Sequence, residues 1–308
     1  METAGGMVKV GAHRLFADCR GTAGGGPAVV FDAALGASSI SWALVQPEIA
    51  KAAFTCSYDR AGMGRSEAGP MPRTISRIVD ELREMLDSAG IAPPFVLVGH
   101  SFGGLCALLF AQRYRAETAG LVLVDAPNPR QWSEMSAHDR SRLEKGAWLA
   151  RRGTLAARFG VARFVAWLVR AGAAGAAQRV SVTFSGGALR GQAERLLAPL
   201  GKLPPELQRA APEAWLKPRF YEALASQMEC LPESAAEVAL VRDLGDLPLA
   251  VLTAAHPDPE RIAEQEEAAR LSTRGRHRIA SEGGHWIPID EPGLVIRAVL
   301  DILDEART

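Results

Sequence analysis

Neither sign of charge predominates in this 308-residue chain: Lys and Arg number 35, and so do Asp and Glu. Without a net field, a nucleic acid or an anionic membrane has no electrostatic footprint to recognise, and neither is expected as a partner. Cysteine is scarce too. Cys19, Cys56, Cys106 and Cys230 are scattered, with neither metal nor disulfide spacing, and they read as reduced core residues of a cytoplasmic protein. No H-x-H or C-x-x-C pair, phosphate loop or dinucleotide fingerprint occurs, so no metal, nucleotide or flavin cofactor is expected. The opening METAGGMVKV lacks a basic n-region followed by an apolar h-region, which predicts no signal peptide, and Met7 serves equally well as a start. The most apolar stretch, 155–177, carries Arg158, Arg163 and Arg170. Three arginines argue against a membrane span and for a partly buried amphipathic helix.

What is present is ordinary globular material, 48% apolar and 23% charged, enough for one large core with an inserted lobe. Compact apolar runs occur at 27–31, 52–59, 95–100 and 120–126, after a strand or hairpin pair in VKVGAHRLFADCRG. Runs without polar alternation suit a parallel sheet covered on both faces. Between them lie helical periods. Ile75, Ile78, Val79, Leu82, Met85 and Leu86 recur at helical spacing, with Thr74 as N-cap and Gly90 as stop. Strand-helix alternation of this kind predicts an α/β fold, a doubly wound and mostly parallel sheet. The alternation stops near 127 and resumes at 248–255, 276–281 and a last helix over 291–305. The helical stretch 127–246 is too long for a loop. It predicts an inserted cap, with 1–126 and 247–308 forming the core.

The stretch FVLVGHSFGGL at 95–105 drives an apolar strand into Gly-His-Ser-Phe-Gly-Gly and then into an apolar helix. Gly99 and Gly103 remove β-carbons that would collide in so tight a turn, which pushes the Ser101 hydroxyl clear of the sheet edge. The turn also leaves the Phe102 N–H at a helix N-terminus. A bare G-x-S-x-G is a weak signal, and its placement between strand and helix makes it specific. A serine nucleophile needs an oriented base. His285, in SEGGHWIPIDEP, follows the last strand and a Gly-Gly turn, at the sheet edge that exposes Ser101. His100 faces away from the serine and reads as a packing or hydrogen-bonding residue, and His277 points into structure. Two carboxylates are placed to orient the base: Asp125 at a rigid strand end, and Asp258 between two prolines, which also suits a helix cap. Asp59 reads as the partner of Arg60 in a structural ion pair.

These motifs, VVFDAALGASSISW, YDRAGMGRS, VGHSFGG, GLVLVDAP and GGHWIPIDEP, resemble the α/β-hydrolase superfamily, in the order of that family and over nearly the whole chain. The resemblance implies Ser101 as nucleophile, His285 as base, and an acid at Asp125 or Asp258. It implies an oxyanion hole from the N–H groups of Phe102 and Ala34. The family's His-Gly-X loop is here Asp32-Ala33-Ala34, a departure that keeps the needed N–H. It also implies a cap over an apolar pocket, with Trp42, Trp132 and Trp286 as lining candidates and Trp148, Trp167, Trp215, Phe220 and Tyr221 as further aromatic material. The expected activity is hydrolysis of an ester or related acyl bond of a small, mostly apolar substrate. Cleavage of a C–C bond in a ring-cleavage product, amide or peptide hydrolysis, and non-catalytic binding of a small molecule stand as alternatives. Dehalogenases and epoxide hydrolases of this fold place Asp at the elbow, where this chain has Ser101. Homo-oligomerisation is left open.

Overall fold

The computed structural model describes residues 5–307, apart from 23, 25, 162, 165–166 and 168–197. Eight strands form one sheet: β1 (Gly6–Val10), β2 (His13–Arg20), β3 (Ala28–Asp32), β4 (Thr55–Tyr58), β5 (Phe95–His100), β6 (Thr118–Val124), β7 (Leu249–Thr253) and β8 (Gly275–Ile279). Their spatial order is β1-β2-β4-β3-β5-β6-β7-β8. β1 and β2 form the expected hairpin, β2 runs antiparallel to β4, and every other pairing is parallel.

Side-chain alternation along the central strands builds two apolar layers. Leu97, Leu121, Leu123 and Val251 point to one face, where they meet α1 (Ile75–Ser88) and α2 (Phe102–Arg113). Val96, Val98, Val122 and Val124 point to the other, against Trp42, Ile49 and α7 (Pro292–Arg307). The periodicity of α1 is realised as read: all six of its spaced apolar residues are buried, and the Thr74 side chain accepts the Arg77 N–H. Each buried Leu or Ile contributes roughly 1.5–3 kcal/mol. Gly90, at φ 68°, follows the helix end in the left-handed region that the stop needs.

Between β6 and β7 the described chain is helical: a short helix Pro129–Ser133, then α3 (Ala137–Arg158), a turn of helix Pro205–Ala210, α4 (Pro218–Glu229) and α5 (Leu231–Val238). α3 packs closely on α4, since a β-carbon at Gly153 would lie 2.4 Å from the Tyr221 ring. Arg151 and Glu229 pair across this contact at 2.5 Å. The amphipathic helix expected over 155–177 falls from 168 onward outside the described residues. No described helix is long and apolar enough to cross a membrane.

This helical segment is tied to the sheet layer by backbone groups. The Arg73 N–H donates to the Ser226 hydroxyl at 2.9 Å and the Ile75 N–H to the Ser234 hydroxyl at 3.1 Å. The Arg73 side chain is wholly buried in a two-bond pair with Glu81. Removing one partner of such a pair leaves an uncompensated buried charge. Arg73→Ala is therefore expected to lower the unfolding free energy by about 3–5 kcal/mol, read as a lower urea midpoint at unchanged slope.

Candidate active site

The turn after β5 is built around three close approaches. A β-carbon on Gly99 would lie 2.3 Å from the Gly103 carbonyl oxygen, and one on Gly103 would lie 2.4 Å from the Asp32 carbonyl oxygen. On Gly104 it would meet the Ala126 β-carbon at 2.4 Å. No side chain fits at any of the three. Ser101, at the N-cap position of α2, takes φ 53° and ψ −119°, a strained conformation for a residue with a β-carbon. It is fixed there by its own N–H on the Val124 carbonyl at 2.9 Å and its carbonyl on the Gly104 N–H at 2.8 Å. Phe102 opens the helix, so its N–H has no acceptor within it and carries the positive end of the helix dipole.

Asp125 leaves the end of β6 with φ 45° and its N–H on the Leu252 carbonyl at 2.7 Å. Its Oδ2 meets Nδ1 of His285 at 2.6 Å, while Oδ1 accepts from the Arg261 guanidinium at 2.9 Å. Carboxylate oxygens only accept, so Nδ1 of a neutral His285 carries the proton and Nε2 keeps its lone pair. Burial pushes the Asp125 carboxyl up, but the His285 hydrogen bond and the charges of His285 and Arg261 outweigh it and hold it at about 2. Asp258 does something else. It caps α6 (Pro259–Ala269), accepting the Arg261 N–H at 2.7 Å. That cap starts the helix whose Arg261 then reaches Asp125.

His100 supports the same loop from below. Its Nε2–H donates to the His285 carbonyl at 2.7 Å, and its ring lies 4.8 Å from that of His285. Burial first, and the nearby His285 second, lower its pKa to about 3, so it stays neutral. His277 Nε2 meets the Thr253 hydroxyl at 2.8 Å within the sheet.

The loop after β3 is held by a buried cation. Arg60 Nη1 donates to Asp32 Oδ1 and to the Ala33 carbonyl, each at 2.6 Å, and Nη2 donates to the Ala34 carbonyl at 2.5 Å. The Tyr58 hydroxyl donates to the other Asp32 oxygen at 3.0 Å, and the guanidinium lies 5.0 Å over the Phe102 ring. Burial alone would lower Arg60, but the charge of Asp32 holds it above its ordinary value. The expected Asp59–Arg60 pair is thus corrected. Arg60 pairs with Asp32, and Asp59 instead accepts the backbone N–H groups of Ser39 at 2.7 Å and Arg65 at 2.8 Å.

Beside Ser101 lies a cavity of about 560 Å³, walled by Leu35, Phe102, Leu105, Trp132, Leu143 and Met228 among others, mostly apolar. Of the three tryptophans expected to line a pocket, only Trp132 borders this one among the described residues. Trp42 is wholly buried in the opposite apolar layer, 5.0 Å from the Phe31 ring. Trp286 packs edge-on against His100 at 5.2 Å. Trp148 and Trp167 are exposed. Sequence reasoning gave no role to Arg261 or Tyr58 and paired Arg60 with the wrong carboxylate. The available signal was Asp32 itself, a carboxylate on a central strand that needs a buried counter-charge. Among the described residues no three His, Cys, Asp or Glu side chains converge as a metal site would require.

The comparisons agree with this architecture. The family profile described as alpha/beta hydrolase fold matches residues 27–165. An AB hydrolase superfamily protein of Gibberella zeae is 29% identical over 113 residues, 35% of each chain. The Bacillus subtilis protein YqjL is 35% identical over 100 residues, 32% of this chain and 40% of YqjL. The chain thus matches less than half the length of these curated relatives. A thermophilic esterase from Thermogutta terrifontis superposes with TM-score 0.67 at 20% identity, over 99% of this chain and all of that one. The epoxide hydrolase CorEH superposes with TM-score 0.68 at 17% identity, over 98% of each chain. The profile match over 27–165 and these superpositions show the α/β-hydrolase fold.

Two outcomes follow. Gly103→Ala must separate the elbow from the 32–34 loop, and is expected to cost about 1–3 kcal/mol in urea unfolding. The carboxyl of Asp125 is held below its unfolded value, so its stabilisation is complete above about pH 4 and vanishes as pH falls through about 2. The stability gap between wild type and Asp125→Asn is therefore expected to be near 2 kcal/mol at neutral pH and to close on acidification across that window.

Proposed function

We propose that this chain is a serine hydrolase that cleaves an ester or related acyl bond of a small, mostly apolar substrate. The observation that carries the reading is the 2.6 Å bond from Asp125 to His285 Nδ1, which leaves Nε2 free to take a proton. Ser101 on the elbow is the nucleophile, His285 the general base, and Asp125 the group that fixes the imidazole tautomer. Asp258 is set aside as the acid because its side chain is engaged as a helix cap. The N–H groups of Phe102 and Ala34 would stabilise the oxyanion of the tetrahedral intermediate. The press of the 32–33 loop on Gly103 and the Arg60 clamp on Ala34 favour that pairing.

The segment 127–246, helical where it is described, is read as a cap over the site, and the apolar lining of the adjoining cavity favours an apolar acyl group. Ser101 attacks the acyl carbon as His285 Nε2 takes the hydroxyl proton, and His285 then gives that proton to the departing alkoxide, which leaves as the alcohol. Water, deprotonated by the same imidazole, then frees the acid. An esterase and an epoxide hydrolase both share the fold. The choice between them rests on the elbow residue, a serine hydroxyl of the kind a general base can activate. A serine, an imidazole, a carboxylate and two backbone N–H groups suffice for this chemistry without a metal or organic cofactor.

A fluorophosphonate probe is expected to label the wild type and not Ser101→Ala, and p-nitrophenyl esters of rising chain length are expected to show an optimum. Ser101→Ala should lower kcat by a factor on the order of 10⁶ and Asp125→Asn by about 10⁴. Asp258→Asn, which keeps a capping oxygen, should leave kcat within about twofold. Full esterase activity in Ser101→Ala, or a loss in Asp258→Asn matching that in Asp125→Asn, would contradict the assignment.

A further inference from the structure

Two of the four cysteines, 37 residues apart in sequence, face each other across β2 and β4, with Sγ atoms 2.7 Å apart. The register explains why they meet. In this antiparallel pair Cys19 stands opposite Cys56, and Phe16 opposite Asp59 one step beyond the Ala17–Tyr58 pair. The Asp59 N–H donates to the Phe16 carbonyl at 2.9 Å, which makes that pair a hydrogen-bonded one. Hydrogen-bonded and non-hydrogen-bonded pairs alternate, so Ala17–Tyr58 and Cys19–Cys56 are both of the second kind. At such positions the Cα atoms stand about 4.5 Å apart and the side chains are at their closest, within the span a disulfide bridges.

Access is asymmetric. Cys56 is buried among core side chains, whereas Cys19 is half-buried. Cys19 also borders a cavity of about 830 Å³ walled by Phe16, Asp18, Gln46, Arg65 and Lys217. This cavity is separate from the one beside Ser101.

We propose that Cys19 and Cys56 are a reversible redox pair that closes a cross-strand disulfide when a small disulfide enters this cavity. The Cys19 thiolate attacks the small disulfide, forms a mixed disulfide and expels one thiolate. Cys56 gives up its proton and attacks Cys19 Sγ, which forms the Cys19–Cys56 bond and expels the second thiolate. The two protein thiols lose two electrons and two protons, and the small disulfide takes them up as two thiols. Cys19 is the first sulfur to react because it is the one the cavity reaches. The contact with Cys19 and burial both push the Cys56 thiol up, which keeps it protonated until the mixed disulfide stands beside it. The product ties the β1–β2 hairpin to the body of the sheet and shortens the unfolded chain's free loop. This inference is independent of the proposed hydrolase chemistry.

The test uses the reduced full-length chain incubated with bis(2-hydroxyethyl) disulfide, then alkylated under denaturing conditions, digested and mapped by mass spectrometry. The expected product is one linked peptide pair containing Cys19 and Cys56, two hydrogens lighter than the thiols and split by dithiothreitol, with Cys106 and Cys230 alkylated. Its melting temperature should rise by several degrees and return on reduction. Cys56→Ser should stop at a mixed disulfide on Cys19. Wild-type protein that keeps both thiols alkylatable, or that halts at the mixed disulfide, would overturn the proposal without recourse to any variant.

Discussion

Between the end of β5 and the first turn of α2 there is room for hydrogen atoms and none for carbon. The carbonyls of Gly103 and Asp32 stand where β-carbons on Gly99 and Gly103 would go, and Ala126 stands where one on Gly104 would go. This steric constraint fixes the rest. It lets the helix start hard against the strand and brings the 32–34 loop onto that start. It also forces Ser101 into a left-handed conformation at the edge where β6 delivers Asp125. A strain on the order of 1–3 kcal/mol at Ser101 is sustained because two backbone hydrogen bonds, to Val124 and from Gly104, hold it in place.

Around that turn two buried charge arrangements do opposite work. Asp32 spends both oxygens on Arg60 and Tyr58, so its charge is consumed in holding a loop. Asp125 divides its oxygens between Arg261 and His285, and its charge fixes a tautomer. Arg261 stands where the Asp258 cap begins its helix, so the two carboxylates that competed for one role in the sequence act in series.

The parts legible in the sequence were those with local causes. The glycines of 99–104 have one steric reason to be there, and the spacing of Ile75 to Leu86 has one geometric reading. Asp125 and Asp258 both follow strands at the same sheet edge, and only the position of α6 separates a cap from an imidazole partner. Asp59 and Arg60 misled because successive residues of extended chain point to opposite sides, so neighbours in sequence do not pair. Trp42 ends a short 3-10 helix (Ser39–Trp42) beyond β3 and turns into the layer under α7. Cys19 and Cys56 belong to strands that are not consecutive in the chain, and the β2–β4 register alone brings them together.

The central claim is that Ser101, His285, Asp125 and the N–H groups of Phe102 and Ala34 form one reacting unit. A crystal structure of the chain after reaction with an alkyl fluorophosphonate tests it most directly. The account predicts a phosphorus–oxygen bond to Ser101, a phosphoryl oxygen within hydrogen-bond distance of both N–H groups, and His285 Nε2 beside the remaining oxygen. A label on another residue, or a phosphoryl oxygen directed away from Phe102 and Ala34, would contradict it.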